Sequence, residues 1–273
     1  MTAPRRLAGC PAVLALWALV LVRAATPAAA QAPTDGLAAR YTFDAQSFAD
    51  DAGKGRNGFS LGAPSFVPGQ YGAGSACRLD GTSGVRLPTT AFSATKAGTV
   101  SLWFKPAARQ PRSSGTLLYR ANQATPSSPD VNWRDRTLAI YYMAHSPDYI
   151  SPVVRVGYTQ AGDATSYQCD AEYPSPVAGA WHLVTVTVDG TARKLNLYLN
   201  GELKMPCGLA KGALTNGTFA LRLGKPVNGQ FSEIGNFAGE IDMVRFYTRA
   251  LSSAEVEALY IGDIRGAVCP APA

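Results

Sequence analysis

Apolar side chains recur at every second position in short stretches along most of the chain: Leu37, Ala39, Tyr41 and Phe43; Val100, Leu102 and Phe104; Leu138, Ile140 and Tyr142; Val184, Val186 and Val188; Leu195, Leu197 and Leu199. That period turns one face of an extended segment to a core and the other to water, as in half-buried antiparallel strands. Asp189-Gly190 and Asn200-Gly201 are turn signals between such runs, and the second, between LNLYL and ELKM, predicts a tight hairpin. About a dozen segments carry the pattern and nothing before residue 250 reads as a long helix. The expected fold is all-β, a two-sheet antiparallel sandwich. No linker rich in Pro, Gly and Ser divides it, and no internal repeat is present.

The period changes within GEIDMVRFYTRALSSAEVEALY, residues 239–260. EIDMVRFY reads as a strand. Ser252-Ser253-Ala254-Glu255 has the form of a capping box, in which the Ser252 hydroxyl and the Glu255 carboxylate each accept the other's backbone N–H. Leu251 is placed to staple against Val256, and Val256, Leu259 and Tyr260 form one helical stripe. A helix this short is not stable alone, so it is expected to dock on the sandwich beside that last strand. Ile241 and Val244 are an odd number apart, which requires a bulge between them if both face the core.

The first thirty residues stand apart. Arg5 and Arg6 precede an apolar run from Ala12 to Val22, and ATPAAAQA follows. This is the layout of a secretory signal peptide, with Ala28 and Ala30 ahead of a cut between Ala30 and Gln31. We therefore expect a signal peptide at 1–30, one domain at 31–262 and a C-terminal tail at 263–273, in a secreted protein (extracellular, periplasmic or cell-surface). The 243 residues left of 273 suit a single sandwich. The apolar run is shorter than the roughly twenty residues a bilayer crossing needs, so no membrane span is expected.

Removing the signal takes away Arg5, Arg6 and Arg23 and no acid, so 25 basic and 19 acidic residues become 22 and 19, and a formal charge of +6 falls to +3. The basic residues that remain are scattered, which argues against nucleic acid as a partner. Cys10 is also lost, leaving Cys77, Cys169, Cys207 and Cys269. An even number in an oxidising compartment suggests two disulfides, with three possible pairings. Cys169–Cys207 and Cys77–Cys269 is the preferred set, because 169 and 207 flank one strand-rich segment and 269 lies in a tail that needs tethering. No CxxC spacing points to zinc.

GEIDMVRFYTRALSSAEVEALY resembles the closing signature of LamG-like jellyroll domains of the concanavalin A-like lectin/glucanase superfamily. LAARYTFDAQSFADDAGKGRNGFSLGAP is similar to the opening strand, acidic-glycine loop and second strand of that family, YGAGSACRLDGTSGVRLP to its next two strands, TVSLWFKP to the core strand after them, and AWHLVTVTVDGTARKLNLYLNGEL to its central pair. The resemblance spans 37–260 and implies a concanavalin A-like jellyroll with one short C-terminal helix. Function does not follow from it, since lectins, glycosidases, lyases and adhesion modules share the architecture.

Laminarinase-type relatives carry an ExDxE or ExDxxE strand, and retaining glycosidases need two carboxyls about 5–5.5 Å apart. Glu240-Ile241-Asp242 begins such a motif, but Val244 or, with a bulge, Arg245 stands where the second Glu belongs. A guanidinium cannot serve as the acid. Asp242 and Arg245 are expected to pair with each other or with loop backbone. The QIH-like strand of alginate-lyase-type jellyrolls is missing too. Of the two histidines, His182 follows Trp181 where the family has Trp-His and is expected to be a packed structural imidazole; His145 is a loop residue. No catalytic residues are assigned.

Calcium is the one cofactor expected, as a single structural ion, because exported sandwiches of this kind often hold one and Ca²⁺ takes several carboxylate and carbonyl oxygens. Asp44, at the end of the first strand, and Asp242, in the last, are the expected ligands, with Asp80 a third candidate and Asp50, Asp51 and GKGRNG possible contributors. For ligand binding, DVNWRDR places Trp133 beside Asn132 and Asp130, and Tyr149 in HSPDYISP is expected to join that rim. An aromatic face flanked by amide and carboxylate groups suits a sugar. The expected function is a secreted, non-catalytic recognition module for carbohydrate or an extracellular protein. The alternatives are a glycan-active hydrolase or lyase with an unrecognised centre, or a purely structural surface domain.

Overall fold

The structure is a computed structural model that describes residues 32–268, apart from 93–94, 122–135, 145–151, 164, 172–174, 216, 218–219 and 227–233. The expected signal peptide and Cys269 lie outside the described residues. The described strands form two sheets of eight, which face each other across one core.

The first sheet runs β13 (Glu202–Gly208), β12 (Lys194–Leu199), β11 (His182–Asp189), β6 (Ala97–Pro106), β16 (Ala238–Tyr247), β4 (Ser75–Asp80), β3 (Ser65–Pro68), with β1 (Leu37–Tyr41) also on β16. The second runs β10 (Ser166–Ala171), β9 (Val153–Thr159), β8 (Arg136–Met143), β7 (Ser114–Ala121), β14 (Leu221–Leu223), β5 (Gly84–Leu87), β2 (Phe59–Leu61). Every pairing is antiparallel except that of the three-residue β15 (Ile234–Asn236), which runs parallel to β7.

The alternating residues read from the sequence meet between the sheets. Ala39, Tyr41, Phe43, Val100, Leu102, Phe104, Leu138, Ile140, Tyr142, Val184, Val186, Val188, Leu195, Leu197 and Leu199 are all buried in one cluster. Leu37 departs from its expected face: the register of β1 slips between Leu37 and Ala39, and Leu37 packs instead on the outer side of the first sheet. Asn200 and Gly201 close the β12–β13 hairpin with positive φ of 53° and 82°, as a tight turn between right-twisted strands requires. Cys169 on β10 and Cys207 on β13 form a disulfide across the open edge of the sandwich, joining the edge strand of one sheet to that of the other.

The one α-helix among the described residues, α1 (Ser253–Val268), runs past residue 262, where the tail was expected to begin. Its capping box forms: Ser252 N–H donates to Glu255 Oε2 at 2.9 Å and Glu255 N–H to Ser252 Oγ at 3.3 Å. Leu251, Val256 and Leu259 pack with Trp103, Leu183, Tyr198 and Tyr247 on the outer face of the first sheet. Tyr260 stacks on Trp103 with ring centroids 5.6 Å apart. Cys77 is a free thiol buried in the core between the sheets, and burial pushes it up to about 12. Its expected partner, Cys269, lies outside the described residues.

Candidate functional site

The outer face of β16 carries the polar residues that the sequence singled out. The expected bulge falls between Asp242 and Arg245, with Met243 at a φ of 48°. Ile241, Val244 and Phe246 are thereby sent into the core, and Glu240, Asp242 and Arg245 to the outer face. Arg245, not Val244, therefore holds the place of the missing carboxylate.

Asp242 and Arg245 do not pair with each other. Arg245 makes a bidentate ion pair with Asp263 of α1, at 2.8 and 2.6 Å, and Trp103 donates its indole N–H to the same carboxylate at 2.7 Å. All three side chains are buried. Trp103 lies directly opposite Asp242 in the β6–β16 ladder, so the helix roofs the rung on which glucanase-type chemistry would stand.

Asp242 instead meets the 3₁₀ turn Gln70–Gly72. Its Oδ2 accepts the Gln70 N–H at 3.0 Å and its Oδ1 the Met243 N–H at 2.6 Å. Asp44 accepts the Ser75 N–H at 2.9 Å and lies so close to Gly74 that a Cβ there would overlap its carboxylate. Asp44, Gln70, Ala73, Gly74, Asp242, Met243, Gly262 and Asp263 line one cavity of about 250 Å³. Burial pushes the Asp242 carboxyl up to about 7 against the two N–H donors, and the charges of Asp44 and Asp263 add to the rise. The Gln70 side chain is 3% exposed and its Nε2 has no partner.

The expected calcium ligands are thus divided. Asp44 and Asp242 come together, and the sequence reading missed Gln70 and Asp263 beside them. Asp80 is elsewhere: it pairs with Ala238, and its Oδ1 accepts the N–H groups of Thr82 and Ser83, which hold its carboxyl far below the usual range. Asp50 is also spoken for, accepting the N–H groups of Arg40, Ala52, Lys54 and Arg56 to shape the glycine loop, and Asp51 binds Thr42. Among the described residues no three His, Cys, Asp or Glu side chains converge as metal ligands.

A second depression lies two residues further along the same face. Glu240 sits between its cross-strand neighbours Arg78 and Lys105 and accepts from both, at 2.8 and 3.1 Å. Arg78, Asp80, Lys105, Pro106, Ala107, Ala108, Ala178, Gly179, Ala238, Gly239 and Glu240 surround an open groove of about 470 Å³. Lys105 also sits 5.8 Å above the half-buried Trp181 ring. His182 is buried as expected, close to Phe104, and its Nε2 accepts the Val177 N–H; desolvation lowers its pKa. Trp133, Asn132, Asp130 and Tyr149, the expected ligand rim, lie outside the described residues, as does His145.

Comparison with known proteins places this geometry. A laminin G-type family model, described as the concanavalin A-like lectin/glucanases superfamily, matches residues 79–257. No curated protein matches the chain. Among solved structures, domain 4 of AbnA, a GH43 extracellular arabinanase from Geobacillus stearothermophilus in complex with arabinotriose, is similar at 24% identity and a TM-score of 0.61, over 82% of this chain and 98% of that one. The ligand binding domain of botulinum neurotoxin serotype D, in complex with N-acetylneuraminic acid, is similar at 14% identity and a TM-score of 0.63, over 84% of this chain and 52% of that one. The binding domain of Paraclostridial Mosquitocidal Protein 1 is similar at 14% identity and a TM-score of 0.62, over 82% and 52%. The chain spans about half the length of these toxin domains, and at such identities the likeness is one of fold. With the family model covering well over half of its length, the chain belongs to the concanavalin A-like lectin/glucanase superfamily.

Proposed function

We propose that the protein is an exported, non-catalytic carbohydrate-recognition module. The observation that carries the reading is the state of the acidic residues on the outer face of β16. Glu240 is held by two cations and Asp242 is closed in beneath the 3₁₀ turn and α1. A retaining or inverting glycosidase needs two carboxyls free to flank a scissile bond. Similar domains in complex with arabinotriose and N-acetylneuraminic acid support a saccharide as the ligand. The Cys169–Cys207 disulfide supports export, since such bonds persist in oxidising compartments. No helix among the described residues is long and apolar enough to cross a membrane.

The Asp44–Asp242 cavity suits a structural calcium ion. Its two carboxylates are hard oxygen donors of the kind Ca²⁺ takes. An ion here supplies positive charge to a buried carboxylate that otherwise keeps its proton to about pH 7. Asp44 and Asp242 would hold it, joining the end of the first strand to β16.

Calorimetry of the purified protein with arabinotriose and a panel of plant and animal oligosaccharides, run beside a reducing-end assay, tests the reading. Heat of binding without release of new reducing ends is expected. New reducing ends would return the protein to the hydrolases.

A further inference from the structure

We propose that the groove above Glu240 is where the saccharide is held, and that it takes a carboxylate-bearing sugar, a uronic-acid residue, between Arg78 and Lys105. The inference rests on the carbohydrate reading above and assigns that reading a place and a ligand class.

The argument starts from the ladder. Arg78 on β4, Glu240 on β16 and Lys105 on β6 are direct cross-strand neighbours, so their side chains leave the sheet on one face, side by side. Glu240 is the short, buried member, 6% exposed, and the two cations reach over it and converge on its oxygens. Their side chains keep 54% and 34% of their surface in water, so both cationic heads reach solvent while the Glu240 carboxylate lies beneath.

One carboxylate bridging two cations from below leaves a complementary position above. Glu240 takes one N–H from the guanidinium, which has five, and one from the ammonium, which has three. The remaining donors are left for a second carboxylate to bridge the same pair from the solvent side, by the charge-assisted bonds that are the strong ones. Asp80, the other acid on the groove, has its oxygens committed to Thr82 and Ser83 and does not fill that position.

The walls fit a pyranose. Ala107, Ala108, Ala178, Gly179, Ala238 and Gly239 project almost nothing, and the opening of about 470 Å³ is within the range of small-ligand sites. Lys105 is steadied beside the groove by the Trp181 ring, 5.8 Å from its Nζ.

The test is calorimetry of the purified protein with four probes: trigalacturonate, its methyl ester, arabinotriose and short poly-L-glutamate. The proposal predicts that trigalacturonate binds about tenfold or more tighter than the ester, and that added salt erodes the difference. Arg78→Ala and Lys105→Ala are each expected to weaken trigalacturonate by about tenfold and the ester little, with some loss of melting temperature because each leaves the buried Glu240 with one cation. Equal affinity for acid and ester, indifference to both substitutions, or a match by poly-L-glutamate would overturn it. The ester comparison needs no substitution and stands even if a variant folds poorly. Binding of arabinotriose with none of trigalacturonate removes the groove proposal and leaves the carbohydrate reading; binding of no saccharide removes both.

Discussion

Asp242 shows how a residue chosen for one chemistry serves another. Its carboxyl is raised from an ordinary 3.8 to about 7, chiefly by burial. Because the folded value lies above the unfolded one, the unfolded chain ionises first. Metal-free stability should therefore fall as pH rises from about 4 to about 7 and level off beyond, by at most about 4 kcal/mol. Calcium replaces the proton, so at pH 8 it should restore much of the loss, and chelator should remove that gain. Urea melts at pH 5 and pH 8, with calcium and with chelator, check this. Asp242→Asn should flatten the pH slope and abolish the calcium response. A wild-type protein with equal stability at both pH values and no calcium shift would contradict the assignment. Asp263 makes a second case, since Asp263→Ala leaves the buried Arg245 guanidinium without its carboxylate. The expected loss is about 3–5 kcal/mol in chemical denaturation; a loss under 1 kcal/mol would mean that Arg245 finds another partner.

At the scale of elements, what the sequence could reveal was what local chemistry dictates. The alternation of β6, β11 and β12 names core residues because period two leaves no choice of face, and SSAE names the start of α1 because a capping box is read within four residues. The span of β1 misled at Leu37, since a slip of register turns a side chain over without changing the pattern. The helix runs on to Val268 because Asp263 is anchored by Arg245 and Trp103, partners distant in sequence. Its cap gives a further prediction. Glu255 is drawn down to about 2, first by Arg249 and then by the cap with Ser252. Its folded value lies below the unfolded one, so its contribution is present above about pH 4.5 and disappears as pH falls toward 2. Glu255→Ala should cost about 1 kcal/mol at pH 7, modest because the pair is partly exposed, and almost nothing near pH 2. A penalty that persists at pH 2 would place the effect in packing.

At the scale of the whole molecule, one sheet face is given to α1 and to the charged residues beside it. The sequence pointed to this strand through Glu240 and Asp242, reading the two as a broken catalytic motif and Asp242 also as a calcium ligand beside Asp44. Whether each carboxylate is free or engaged depends on Arg78, Lys105, Gln70 and Asp263, which only register and docking bring near. The core and the signature of the last strand were legible for the opposite reason, being written in neighbouring residues. The disulfide between Cys169 and Cys207 was legible as well, from an even count of cysteines and the strands that carry them.

The most direct test of the central claim, that this is a saccharide-binding module without catalysis, is a glycan array probed with the labelled protein, followed by product analysis on every positive spot. The account predicts one or a few related glycans retained intact. A clean array, or retained glycans found cleaved, would contradict it.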